Sequence, residues 1–216
     1  MVLKRFSFTP FQIGLHVISL LPFAIFVFDF LTDAGFSGNI QRLEFRTGRL
    51  ALIWLILSLF CSPMYWLTGY REAFKARKTL GRYAFFYAFL HGMVFLVLDY
   101  AFDIHLILIT LSDTLYLLLG IIAFIILLLL AVTSNPQSQA ILKKNWDRLH
   151  KLVYLAAILG VIHYFLIEKS DIRWPLTAAI ILSGLLIVRF PAIRKRNTLR
   201  KQINKVVIKT RSGKAS

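Results

Sequence analysis

Six stretches of this 216-residue chain carry no charged side chain: Pro10–Phe28, Leu50–Tyr70, Tyr83–Leu98, Thr114–Leu142, Leu152–Ile167 and Trp174–Val188. Backbone N–H and C=O groups that enter hydrocarbon must be satisfied within their own segment, so runs of this kind fold as membrane-crossing helices. Crossing about 30 Å at about 1.5 Å per residue takes roughly 20 residues. The shorter runs therefore borrow flanking residues such as Arg82, Asp99, Lys151 and Arg189, whose long stems can snorkel. With 58% apolar side chains, 17% charged ones and a mean hydropathy of +0.69, the chain is not a water-soluble domain. The expected fold is all-α, a polytopic bundle of about six transmembrane helices. Lys4 and Arg5 precede the first run as in a signal peptide. That run is longer than a secretory apolar core and no small-residue cleavage site follows it, so a retained first helix is expected.

Lysines and arginines cluster between alternate runs. Arg71, Lys75, Arg77, Lys78 and Arg82 lie between the second and third, and Lys143, Lys144, Arg148 and Lys151 between the fourth and fifth. The positive-inside rule makes both loops cytoplasmic, and with them both termini. The next outer stretch, around Asp99, Asp103, His105 and Asp113, has no lysine or arginine. This topology accounts for most of the net charge of +16, so a nucleic-acid partner is not expected. The basic tail 193–216 would lie on anionic lipid or meet an acidic partner. Trp66, Tyr83, Trp146 and Trp174 fall near helix ends, where amphipathic rings commonly sit. The single cysteine, Cys61, excludes an intrachain disulfide, and no C-x-x-C-H motif is present to attach a c-type haem.

The five histidines, His16, His91, His105, His150 and His163, carry the chemical information. Ionisable side chains within a membrane are costly and tend to face the bundle interior, and neutral imidazole is a good axial ligand for haem iron. His91 and His105 are 14 residues apart and His150 and His163 are 13, or roughly 20 Å along a helix. This suggests two levels, with His91 and His150 at an inner haem and His105 and His163 at an outer one. Thirteen residues leave two side chains about 140° apart on an ideal helix, so His150 and His163 need a bend or separate approach directions. His105, in an acidic stretch, is a fourth candidate against the simpler reading of a solvated loop histidine. His16 would border a quinone or flavin pocket or bond to a backbone carbonyl. Arg49 and Arg82 are candidate contacts for haem propionates, although snorkelling commonly explains such arginines.

Several segments, in order, resemble one family. They are Leu15-His16 with Leu20-Leu21-Pro22-Phe23, Thr47-Gly48-Arg49, Leu90-His91, Thr133-Ser134, the stretch from Trp146 through His150 to Tyr154, and Ile162-His163-Tyr164. The chain resembles the haem-binding membrane subunits of bacterial protein-methionine-sulfoxide reductase systems, MsrQ (also called YedZ), within the ferric-reductase-like transmembrane group. It departs from them at Asp113–Gly120, where Thr114 and Leu115 replace an Arg-Pro pair before Tyr116. The resemblance implies a haem-binding domain over 1–192 with the tail beyond it, one or two b-type haems ligated by His91, His150 and His163, and bound FMN. It implies an electron-transfer subunit rather than a complete enzyme, in the bacterial inner membrane. Its donor would be the quinol pool or a cytoplasmic flavin reductase, and its acceptor the periplasmic molybdopterin subunit MsrP. No G-x-G-x-x-G occurs, so hydride transfer from a nicotinamide cofactor by the usual Rossmann route is not expected. Two rival readings are a stand-alone transmembrane ferric or quinone reductase, and a transporter or scaffold using its histidines for proton relay or packing.

Overall fold

The computed structural model describes residues 9–32 and 40–189; the basic tail, Lys4, Arg5 and Pro191 lie outside them. Nearly everything described is helical and no strand occurs among these residues. Helix α1 (Pro10–Leu31) opens with a capping box, in which the Thr9 hydroxyl accepts from the Gln12 N–H and the Gln12 side chain from the Thr9 N–H. Helix α2 (Ile40–Thr68) ends at Gly69, whose φ of +76° lets the chain reverse at once into α3 (Arg71–Met93). A π-helical segment, Val94–Asp99, prolongs α3. Then follow α4 (Ile104–Asp113), α5 (Leu115–Val132), α6 (Pro136–Leu142), α7 (Lys144–His150), α8 (Leu152–Ile167) and α9 (Arg173–Val188).

Among the described residues, five stretches are long and apolar enough to cross a membrane: Pro10–Asp29, Ile40–Thr68, Arg71–Asp99, Leu115–Val132 and Lys144–Ile167. Helix α9 adds a shorter apolar segment, giving the expected bundle of about six. The fourth uncharged run is divided, because Asn135 caps a new helix through the Ser138 N–H and Pro136 occupies its first position. The third span starts twelve residues earlier than its uncharged run, since Arg71–Arg82 is rich in Arg, Lys, Ala, Glu and Leu, all strong helix formers. The acidic outer stretch forms α4, capped by the Asp103 carboxylate on the Leu106 N–H.

Helices α2 and α3 pack along one another, as do α5 and α8, around a core in which Ala84, Ala156 and Ala157 are fully or almost fully buried. Lipid tails give no hydrophobic gain for helix association, so such small residues matter by letting backbones approach closely. We call the end of the bundle holding the α2–α3 turn and α6–α7 proximal, and the opposite end distal. An arginine ties α9 to the bundle at each end. Distally, Arg49 of α2 donates to the Tyr164 hydroxyl (2.6 Å) and the Glu168 carboxylate (3.1 Å), and lies over the Trp174 ring at 5.3 Å. Proximally, Arg189 donates to the Tyr154 hydroxyl and the Leu59 carbonyl. That carbonyl lies four residues before Pro63, which has no N–H to offer it, so the guanidinium supplies the donor missing from α2.

The Ser170 hydroxyl at 2.6 Å, followed by backbone N–H groups and Arg49, holds the Glu168 carboxyl below the usual carboxylate range. Its stabilisation is complete above an unfolded pKa of about 4.3 and is lost as pH falls through the lower folded-state value. Glu168→Ala is expected to lower the thermal midpoint in detergent at pH 7, with the gap from wild type closing below that value. Arg189→Ala should destabilise the native chain by about 1–3 kcal/mol and by less in a Pro63→Ala background, where Leu59 regains its helical donor. A double-mutant cycle measures that coupling.

Candidate functional site

Helices α3 and α8 both run from the proximal to the distal end, and each carries a histidine near its distal end. His91 and His163 face one another with ring centres 6.1 Å apart and planes at 81°. The Nδ1 of His91 is 3.0 Å from the carbonyl of Glu44 on α2, and that of His163 is 2.7 Å from the carbonyl of Tyr116 on α5. A carbonyl only accepts, so each Nδ1 carries the proton, and in a neutral imidazole the lone pair is then on Nε2. A hydrogen bond from one ring nitrogen commonly orients a metal-binding histidine whose other nitrogen ligates.

Both rings rest against glycine. A Cβ at Gly48 would lie 3.3 Å from the His91 imidazole, and one at Gly120 would lie 2.7 Å from that of His163. Among the described residues, no three His, Cys, Asp or Glu side chains converge as a site for a bare metal ion. Two imidazoles alone suit a metal that brings its own equatorial ligands, as haem iron does. Were both imidazoles to hold one metal through Nε2, with metal–nitrogen bonds of about 2 Å, their ring centres would lie roughly 6 Å apart. The pair fits that group.

The structure therefore brings His91 to His163, whereas the sequence spacing had grouped His91 with His150. The reason lies in the early start of α3: His91 is the twenty-first residue of that helix, about 30 Å from its beginning. His150 closes α7 at the proximal end. It stacks on Trp146 at 3.9 Å, and its Nε2 lies 3.2 Å from the Thr133 hydroxyl. The single proton of Thr133 is directed at the Leu129 carbonyl (2.6 Å), so His150 Nε2 donates, the opposite tautomer from the distal pair. The chain breaks from α7 to α8 at Lys151, which gives His150 and His163 their separate directions.

His105 is exposed on α4. His16 Nδ1 meets the Tyr83 hydroxyl at 2.7 Å, joining α1 to α3. Arg49 is at the distal pair's end of the bundle, engaged with Tyr164 and Glu168, while Arg82 is exposed nine residues before His91. A cleft of about 500 Å³ opens distally, with Arg42, Arg46, Arg49, Glu168 and Lys169 among its lining residues. Sequence reasoning missed the Glu44 and Tyr116 carbonyls, because a backbone acceptor has no side-chain signature. Gly48 and Gly120 stood inside the motif segments, but composition alone gave them no role.

Known proteins share this chain's sequence over most of its length. The family described as ferric reductase like transmembrane component matches residues 47–161, a stretch that includes Gly48, His91, Gly120 and His150 and stops two residues short of His163. The protein-methionine-sulfoxide reductase heme-binding subunit MsrQ of Rhodospirillum rubrum is 36% identical over 189 residues, covering 87% of this chain and 91% of that protein. Its counterparts in Xanthomonas euvesicatoria and Herminiimonas arsenicoxydans are 36% and 35% identical, over 79% and 85% of this chain and 81% and 86% of theirs. With its helical membrane bundle and its likeness to these relatives along most of its length, the chain belongs to the MsrQ family, within the ferric-reductase-like transmembrane group.

Proposed function

We propose that this chain is a membrane electron-transfer subunit that holds b-type haem between His91 and His163 and passes electrons to a periplasmic molybdopterin methionine-sulfoxide reductase, MsrP. The observation that carries this reading is the facing pair of imidazoles, each with Nδ1 tied to a carbonyl and Nε2 left as the ligating nitrogen. Relatives along most of the chain are named heme-binding subunits of that reductase system. Bound haem would supply a one-electron iron couple. The protein's part is to fix the two imidazoles, keep them neutral and exclude water from the surrounding helices.

Arg71, Lys75, Arg77, Lys78, Lys143, Lys144, Arg148 and Lys151 gather at the proximal end, which supports reading it as the cytoplasmic side of the bacterial inner membrane. The distal pair then sits toward the periplasm, at the same end as the cleft that includes Arg42, Arg46 and Lys169, and Arg49, held there by Tyr164 and Glu168, is the candidate propionate contact. Electrons enter from the quinol pool or a cytoplasmic flavin reductase, with FMN as a further carrier. His150 is the candidate ligand for a second haem at the proximal level, and His105 is the remaining candidate distally.

Purified protein should show a b-type absorption change on reduction, and a colourless preparation after haem supplementation would count against the proposal. His91→Ala and His163→Ala should each abolish the bis-imidazole low-spin signal. His150→Ala should leave that signal intact and lower the haem-to-protein ratio only if a second haem is bound, whereas loss of the distal signal there would refute the assignment of separate levels.

A further inference from the structure

The two imidazoles are held by the same local construction, built twice. Each Nδ1 donates to a carbonyl 47 residues earlier in the chain, Glu44 for His91 and Tyr116 for His163. In both cases a glycine follows the accepting residue by four positions, Gly48 and Gly120, and lies under the same ring. A shift of 72 residues thus carries Glu44, Gly48 and His91 onto Tyr116, Gly120 and His163.

In an α-helix the carbonyl of residue i accepts from the N–H of residue i+4, and the side chain at i+4 leans back toward that oxygen because Cβ tilts to the helix N-terminus. Thr47 illustrates the crowding, since its hydroxyl reaches back 2.8 Å to the Leu43 carbonyl. A glycine at i+4 removes the obstruction and opens the second lone pair of the carbonyl to a donor from outside the helix. From this we propose that Gly48 and Gly120 are positioning residues. Each opens a notch through which one helix carbonyl takes the Nδ1 proton of a histidine, fixing the Nε2-ligating tautomer and ring orientation of both imidazoles.

The proposal rests on the reading of His91 and His163 as iron ligands and adds what sets their ligand strength. A carbonyl acceptor on Nδ1 raises the basicity of Nε2, which favours ferric over ferrous iron. Closing a notch should weaken haem binding and raise the midpoint potential. Gly120 should be the more sensitive position, because its added Cβ would stand 2.7 Å from ring carbon and 2.9 Å from Nδ1, against 3.3 Å at Gly48.

The test uses the full chain in detergent, loaded with haem, as Gly48→Ala, Gly120→Ala and the control Gly184→Ala, whose Cβ meets nothing within 4 Å. Loss of an outer partner of a metal-bound histidine typically costs about 10- to 100-fold in affinity. That loss is expected for Gly120→Ala, with a smaller one for Gly48→Ala, each accompanied by altered low-spin ferric g-values and a potential above that of the control. Should Gly120→Ala fail to fold, Gly48→Ala decides the matter. Haem affinity, g-values and potential equal to the control in the folded glycine variants would overturn the notch while leaving the ligand reading standing. Wild-type haem content and spectrum in His163→Ala would overturn the ligand reading itself.

Discussion

Inside hydrocarbon no water is at hand, so a polar group there is costly unless it finds a partner within the protein, and the bundle is tied together by polar groups that do. Thr47, Thr133 and Ser134 return their hydroxyl protons to carbonyls of the preceding turn. Tyr87 crosses from α3 to the Ser19 carbonyl of α1 at 2.7 Å, and Arg189 serves the carbonyl that Pro63 leaves without a donor. The histidine N–H groups obey the same rule. Because His91 and His163 satisfy theirs on Nδ1, the requirement that makes them tolerable in the membrane also leaves each lone pair on Nε2.

Some of this was legible from residues alone. The limits of α8 coincide with the uncharged run Leu152–Ile167, since apolar side chains give way at both ends to charged ones, and the motif histidines sit on helices as expected. The start of α3 was not legible, because its first three turns are basic and strongly helix-forming at once, so charge pointed to a loop where propensity favoured a helix. Twelve residues of extra helix moved His91 from the middle of a span to its distal end, and its nearest histidine changed accordingly. The His150–His163 conflict on an ideal wheel was a sound warning: the helix is interrupted at Lys151.

The two halves of the site are alike where they hold the distal rings and unlike elsewhere. The shift that superposes the distal triads aligns Lys78 with His150 in sequence, so His150 has no histidine counterpart in the first half. The tautomers differ in the same sense, with both distal rings protonated on Nδ1 and His150 donating through Nε2.

Equal lengths of chain join glycine to histidine in the two halves, yet they are disposed differently. From Gly48, α2 continues for twenty residues to Thr68, whereas from Gly120, α5 runs only twelve to Val132 before the chain turns into α6 and α7. With the two glycines level at the paired rings, the α2–α3 hairpin reaches about 12 Å beyond the end of α5. At 29 residues, α2 also exceeds a hydrocarbon layer of about 30 Å. Equal chain lengths therefore need not end level, because part of the second length is taken up by α6 and α7 in place of a longer α5.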